Sequence, residues 1–272
     1  MVIKLVTIDL DGTLFGEKFN KNISMENKEA IRKAKENGCK IVIATGRPIV
    51  GVLPVLEQLG MNTNNDYVIV YNGALVYNVG TKEIVHSSII SGADIKKIYN
   101  ESIRLNANFH AFTENEDLIT DVGNPYTDVE CRFNEINYTI TDVNEICDND
   151  KFLKAMIVGD EATLDFAQDN IKEIFKENYT MIRSADIFLE FLNMNSDKGY
   201  AMLALAKHLN IDIKETMAIG DAGNDLLMIK LAGVGVAMAN AYDYVKAEAD
   251  FITLSNYEHG VAYAIKKYVL KD

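Results

Sequence analysis

Four short polar clusters carry residue types and spacings that chemistry can use. In Asp9-Leu10-Asp11-Gly12-Thr13 the two carboxylates stand two residues apart and can project toward one pocket, and Gly12 lets the chain turn sharply. Alone, the pair reads equally well as turn carboxylates capping a helix. An EF-hand fits poorly, because Gly12 comes too early and an apolar run precedes the loop. In Thr45-Gly46-Arg47-Pro48 the Thr45 hydroxyl and the Gly46 amide can donate to an oxyanion at a helix N-terminus; alone, this is an N-cap with a turn glycine. Ser196-Asp197-Lys198-Gly199 puts a lysine in a first helical turn, where the helix dipole is already positive. That hints at an anion to be held, although most lysines are simply solvated. Gly220-Asp221-Ala222-Gly223-Asn224-Asp225 crowds two carboxylates and an amide into one loop, and Asp225 alone can be a helix cap.

Together the clusters say more. Asp9, Asp11, Asp221 and Asp225 converging on one sheet edge would repel and raise one another's pKa. A hard divalent cation resolves this, and an all-oxygen ligand set points to Mg²⁺. Zinc is disfavoured, since His86, His110, His208 and His259 all lie outside the four loops. Thr45, Lys198 and backbone amides add donors for an anion beside the metal. A carboxylate nucleophile, a metal and an anion clamp together describe phosphoryl transfer.

These loops need a scaffold that brings them together. Residues 3–9 and 40–44 read as buried strands, each followed by a helical pattern at 25–37 and 48–59. From 197 the alternation resumes: a helix to about 209, strands at 217–220 and 234–238, a short strand at 251–253 and a closing helix. Strand–helix alternation argues a parallel sheet with helices on both faces, and each polar cluster follows a predicted strand or opens a helix. The runs around Asn72-Gly73 predict a hairpin with a type I′ turn. Between the two halves the pattern is helix–strand–strand twice over, with an irregular polar stretch between. The first domain is therefore expected over 1–85 and 189–272, interrupted by an α+β domain at 86–188.

Composition narrows the classes. The 272 residues carry 27 basic and 40 acidic side chains, a net charge of −13, which argues against nucleic-acid or anionic-membrane partners. Three scattered cysteines argue against a disulfide framework. The apolar N-terminus is too short for a signal peptide, and no uncharged apolar stretch approaches 18 residues, so the expected location is cytoplasmic. Other motifs are weaker. Gly233 to Met238 only superficially matches a dinucleotide fingerprint and reads as a packed strand. His110 reads as a half-buried structural histidine ahead of a site residue, and Arg47 as a surface ion pair as readily as a substrate contact.

Asp-x-Asp-Gly-Thr with Gly-Asp-x-x-Asn-Asp, and Thr45 and Lys198 between them in order, resembles the four motifs of the haloacid dehalogenase superfamily. More than half the chain separates Thr45 from Lys198. An insertion there resembles the Cof-type phosphatases, as do Tyr71-Asn72-Gly73-Ala74 and the segment from Asn256 to Val269. The resemblance is nearest to that branch's bacterial sugar-phosphate phosphatases. It implies an α/β fold, a Rossmann-like parallel-sheet core with an inserted α+β cap domain that sets substrate choice. It also implies a Mg²⁺-dependent hydrolase of small phosphate monoesters, with sugar phosphates the expected class. Asp9 is then the nucleophile that forms an aspartyl-phosphate, and Asp11 the acid that protonates the leaving group and helps activate water. Thr45 and Lys198, the Leu10 and Gly46 amides and Asn224 hold the phosphoryl group. Asp9, the Asp11 carbonyl and Asp221 hold the metal, with Asp225 supporting the metal shell or Lys198. The expected partner is a small phosphorylated metabolite. Two alternatives share parts of this pattern. A phosphomutase has the same motifs, though the insertion point disfavours it. A non-enzymatic phospho-acceptor signalling domain also gathers acids, Thr and Lys at sheet ends, but is much shorter.

Overall fold

The computed structural model describes residues 2–16 and 22–271. Every residue of β1 (Leu5–Asp9) is buried, as its largely apolar, β-branched run fits a strand covered on both faces. Helix α1 (Met25–Glu36) starts where the Ser24 hydroxyl accepts a bond from the Asn27 amide, and stops before the left-handed Gly38. β2 (Lys40–Ala44), α2 (Ile49–Gln58) and β3 (Tyr67–Val70) continue the alternation. β4 (Leu75–Asn78) turns back antiparallel to β3, and β5 (Ile84–Ser87) follows it.

The chain then builds a second sheet. β6 (Ile90–Ser91) leads into α3 (Gly92–Arg104), whose N-terminus is closed by a capping box between Ser91 and Asp94. β7 (Asn108–Thr113), β8 (Leu118–Thr120), α4 (Pro125–Asn134), β9 (Tyr138–Ile140) and β10 (Lys151–Val158) follow, then α5 (Glu161–Asn170), α6 (Glu173–Asn178), β11 (Tyr179–Ala185) and β12 (Phe188–Asn193). The polar stretch that sequence leaves irregular thus holds α4, set off by Pro125 at its start and an Asn124 side-chain cap, and the short β9.

The last segment is α7 (Lys198–His208), β13 (Thr216–Gly220), α8 (Leu226–Leu231), β14 (Val234–Ala237), α9 (Asp243–Lys246), β15 (Phe251–Ile252) and α10 (Gly260–Ile265). Val234–Ala237, the middle of that glycine-containing run, therefore serves as strand and not as a nucleotide loop. The first sheet runs β15-β14-β13-β1-β2-β3-β4-β5, parallel from β15 to β3. The second runs β11-β12-β10-β7-β8-β9, with β6 beside β10.

Two compact units result: Met1–Gly46, Val52–His86 and Asp197–Asp272 form the first, Arg47–Gly51 and Ser87–Ser196 the second. The return expected at 189 comes instead at 197, because β12 pairs along its length with β11 and also with β10, and so belongs to the second sheet. Arg47 is buried rather than at the surface, with its guanidinium 4.9 Å from the centre of the Phe133 ring.

In the second unit, Ile95 and Ile98 of α3 and Leu164 and Ala167 of α5 join Phe109, Ile157 and Phe191 of the sheet in one apolar core. The opposite side of these strands is buried too and carries polar groups among its apolar ones. His110 is fully buried, 3.0 Å from the Thr127 hydroxyl and 3.0 Å from the Met156 sulfur. Lys154 donates to Glu190 at 3.1 Å and lies 4.0 Å from Glu130. Burial holds the His110 imidazole down at about 3, with Lys154 adding to the effect. Among the described residues no helix is long and apolar enough to cross a membrane.

Candidate active site

β1, β2 and β13 are adjacent parallel strands, so the loops that leave their C-terminal ends emerge side by side. Asp9 is the last residue of β1, Thr45 and Gly46 follow β2, and Asp221 follows β13. Lys198 opens α7 behind an Asp197 side-chain cap. The lysine is no solvated surface residue. It is fully buried, and its ammonium donates to Asp9 Oδ1 at 2.5 Å and to Asp225 Oδ1 at 2.7 Å.

Both oxygens of Asp225 are engaged. Oδ1 accepts from Lys198, and Oδ2 accepts from the backbone amides of Asp221 and Ala222, each at 3.0 Å. That leaves Asp225 as the residue that fixes Lys198 and the Asp221 loop. Asp221 is oriented from the other side, where the Thr13 hydroxyl donates to its Oδ1 at 2.6 Å. Gly12 is left-handed at φ 89°, and a Cβ there would lie 2.5 Å from Asp221 Oδ2, so only glycine fits the turn.

The electrostatics follow from burial. Desolvation pushes the Asp9 carboxyl well above the usual carboxylate range; Asp225 adds to the rise, Lys198 opposes it and Asp221 adds again. Desolvation likewise carries Asp221 up to about 6, against the hydrogen bond from Thr13. Burial pulls the Lys198 pKa down, but the charges of Asp225 and Asp9 outweigh it and hold the ammonium above its ordinary value. One ammonium thus faces three crowded carboxylates. Oxygens of Asp9, Asp221 and Asp225 lie within 4.8 Å of one another, an oxygen-only donor set suited to a hard cation. The Asp11 carboxylate is not part of that group, and Asp11 is only partly buried.

Known proteins resemble this chain along nearly its whole length. The family model for haloacid dehalogenase-like hydrolases covers residues 6–265. The chain belongs to that family. YxeH of Bacillus subtilis (strain 168) is 39% identical over 273 residues, 98% of each chain. The 5-amino-6-(5-phospho-D-ribitylamino)uracil phosphatase YcsE of the same organism is 31% identical, over 98% of this chain and 96% of its own length. Among solved structures, the HAD subclass IIB sugar phosphatase BT4131 superposes with a TM-score of 0.79 at 25% identity, covering 97% of this chain and 98% of that one. The chain is a phosphatase of this haloacid dehalogenase-like family, a phosphoric monoester hydrolase with a parallel α/β core and an inserted α+β domain.

Four residues to which the sequence assigns no role in the site also hold it. Thr13 orients Asp221. Asn72 accepts at 3.0 Å from the side chain of Asn224. Asn240 donates to the Gly12 carbonyl at 2.8 Å, and Asn256 donates to the carbonyls of Phe15 and Gly16, each at 3.0 Å. No local signal marks Asn240 or Asn256, which reach back across more than 200 residues of sequence. The Asn72-Gly73 pair carried a signal, but for a turn.

Proposed function

We propose that this phosphatase is Mg²⁺-dependent and hydrolyses small phosphate monoesters through an aspartyl-phosphate on Asp9, with sugar and polyol phosphates as substrates. The observation that carries the reading is the buried Lys198, bound at once to Asp9 and Asp225 beside Asp221. Asp9, Asp221 and the Asp11 carbonyl would hold the cation, with Asp225 behind them, since both its oxygens are already bonded. When bound, Mg²⁺ supplies positive charge that keeps the crowded carboxylates ionised and offsets charge on the phosphoryl oxygens.

The remaining chemistry belongs to the chain. An Asp9 carboxylate oxygen forms the bond to phosphorus as the ester oxygen leaves. Asp11 gives that oxygen its proton, then takes one from the water that cleaves the acyl phosphate. Lys198, the Thr45 hydroxyl, the Leu10 and Gly46 amides and Asn224 hold the three other oxygens, whose charge must be stabilised in flight. The sugar-phosphate class is supported by the likeness to a sugar phosphatase and by a relative named for a ribityl phosphate substrate.

The test is release of inorganic phosphate from a panel of sugar, polyol and aryl phosphates, after exhaustive chelation and with single metals added back. Phosphate release that returns with Mg²⁺ is expected. Full activity in the metal-free protein, or rescue by zinc alone, overturns the metal assignment.

A further inference from the structure

The hairpin turn after β3 does more than reverse the chain. Its type I′ form is present: Asn72 sits at φ 53°, ψ 35°, Gly73 at φ 93°, and the Ala74 amide donates to the Tyr71 carbonyl at 3.0 Å. Such a turn asks for left-handed backbone at its two central residues only. Tyr71 is left-handed as well, at φ 52°, although it is a bulky and fully buried aromatic. A conformation of that kind is disfavoured for a residue with a side chain and persists only where the surroundings impose it.

What the distorted turn accomplishes is the placement of Asn72. Its side chain is buried. Its amide N–H donates to the Thr45 carbonyl at 3.0 Å. Its Oδ1 accepts from Asn224 Nδ2 at 3.0 Å. Its carboxamide fills the space beside Gly46, where a Cβ would stand 3.0 Å from Asn72 Nδ2. The next residue closes on a third loop: a Cβ on Gly73 would strike the Asp197 carbonyl and come within 2.8 Å of the Lys198 nitrogen. Thr45–Gly46, Asp197–Lys198 and Asn224 thus all abut one three-residue turn.

We propose that Asn72 is a positioning residue for phosphoryl transfer, locking the Thr45–Gly46 loop and Asn224 into one rigid frame. The inference rests on the phosphatase reading above, in which those residues donate to the phosphoryl oxygens. Asn224 has two N–H donors, and Asn72 fixes the plane of the amide by taking one of them. Donors that must meet a transition state rather than a substrate need such rigidity. Their loosening therefore lowers kcat more than it raises KM.

Asn72→Gly is the discriminating variant, because glycine keeps the left-handed backbone and removes only the carboxamide. With p-nitrophenyl phosphate and Mg²⁺, its kcat is expected to fall about 10²-fold, the scale of a misplaced catalytic group. KM stays within about threefold, inhibition by orthovanadate weakens in step with kcat, and the melting temperature stays near wild type. Combined with Asn224→Ala, it adds little to the loss from Asn224→Ala alone, since both break the same coupling. Should the glycine variant fail to fold, the same cycle run with Asn72→Ser, whose side chain is too short to reach Asn224, reads the same coupling. Wild-type kcat and vanadate inhibition in the folded variant, or fully additive losses in the cycle, overturn the role of Asn72 while the phosphatase reading stands. A wild-type protein that releases phosphate from no monoester overturns both.

Discussion

Lys198 shows what single side chains do here. It is a cation buried with two carboxylates, so its removal leaves Asp9 and Asp225 without their partner in a dry site. Asp9 is the converse case: a carboxylate that burial and Asp225 hold well above its ordinary pKa, a cost that the proposed nucleophilic role would account for. Asp9→Asn is therefore expected to abolish turnover, since an amide is a poor nucleophile. In the metal-free protein it should raise the melting temperature or leave it unchanged. Turnover above a trace, with deamidation excluded by mass spectrometry, would show that Asp9 is not the nucleophile. Asp11 calls for a different test. A sugar alkoxide needs a proton in order to leave, whereas a nitrophenolate does not. Asp11→Asn should slow sugar-phosphate hydrolysis by about 10²–10⁴-fold, the usual worth of a positioned acid. The first step with an aryl phosphate, read as a rapid-quench burst, should suffer far less. An equal fall in both would reduce Asp11 to a role in loop shape. Asp9, Thr45, Lys198, Asp221 and Asp225 were legible from sequence because each sits at a strand end or helix start. Thr13, Asn72, Asn240 and Asn256 were not, because their roles are hydrogen bonds to loops distant in sequence or masked by an ordinary turn signal.

Among the elements, the close approach of α7 and α8 sets the geometry of the ion pair, since Lys198 opens one helix and Asp225 immediately precedes the other. Gly199 permits that approach. A Cβ there would lie 2.8 Å from the Leu227 carbonyl carbon and 2.9 Å from the Met228 nitrogen, both backbone atoms that cannot swing aside. Gly199→Ala should cost about 1–3 kcal/mol through overpacking. It should also lower kcat, because the helices can separate only by drawing Lys198 away from Asp225. The melting temperature and kcat of the variant check this, and unchanged values for both would show that the contact yields freely. Gly199 could be read from sequence only as part of a motif, since nothing local says that another helix lies against it. The same blindness hid α4, whose polar face turns inward onto other polar groups. Thr127 and Glu130 are buried against His110 and Lys154 rather than against an apolar core, so the helix shows no clean apolar stripe. The central parallel strands of the main sheet carried no such disguise, because they are largely apolar on both faces.

At the scale of the whole molecule, the buried carboxylates of the site in the first unit and the buried groups around His110 and Asp94 in the second are held in opposite senses, and the strands that carry them should respond oppositely to acid. In the first unit, burial lifts Asp221 to about 6 and Asp9 well above its ordinary value. A carboxyl with a raised folded pKa binds more protons folded than unfolded. Its unit gains stability as pH falls through the folded pKa and loses it as pH rises. In the second unit, burial holds His110 at about 3, and hydrogen bonds from Ser91, Lys97 and Tyr179 overcome the opposing effect of burial to hold Asp94 at about 2. Both bind fewer protons folded than unfolded, so stability drains away as pH falls, from near 6.5 for the histidine and near 4 for the aspartate. Glu130, raised chiefly by its own burial, opposes that trend in part. The metal-free protein taken from pH 7 to pH 5 should thus exchange its amide hydrogens faster in β7 and β10, after correction for intrinsic rates, while β1 and β13 hold or gain protection. His110→Gln should flatten the response of β7 and β10 without touching that of β1 and β13. Saturating Mg²⁺ should reverse the trend in the first unit alone, because a bound cation makes its carboxylates prefer the ionised form. A uniform response across both sheets, or one indifferent to Mg²⁺, would mean that the units unfold as a single cooperative body and that these buried groups do not govern their acid stability.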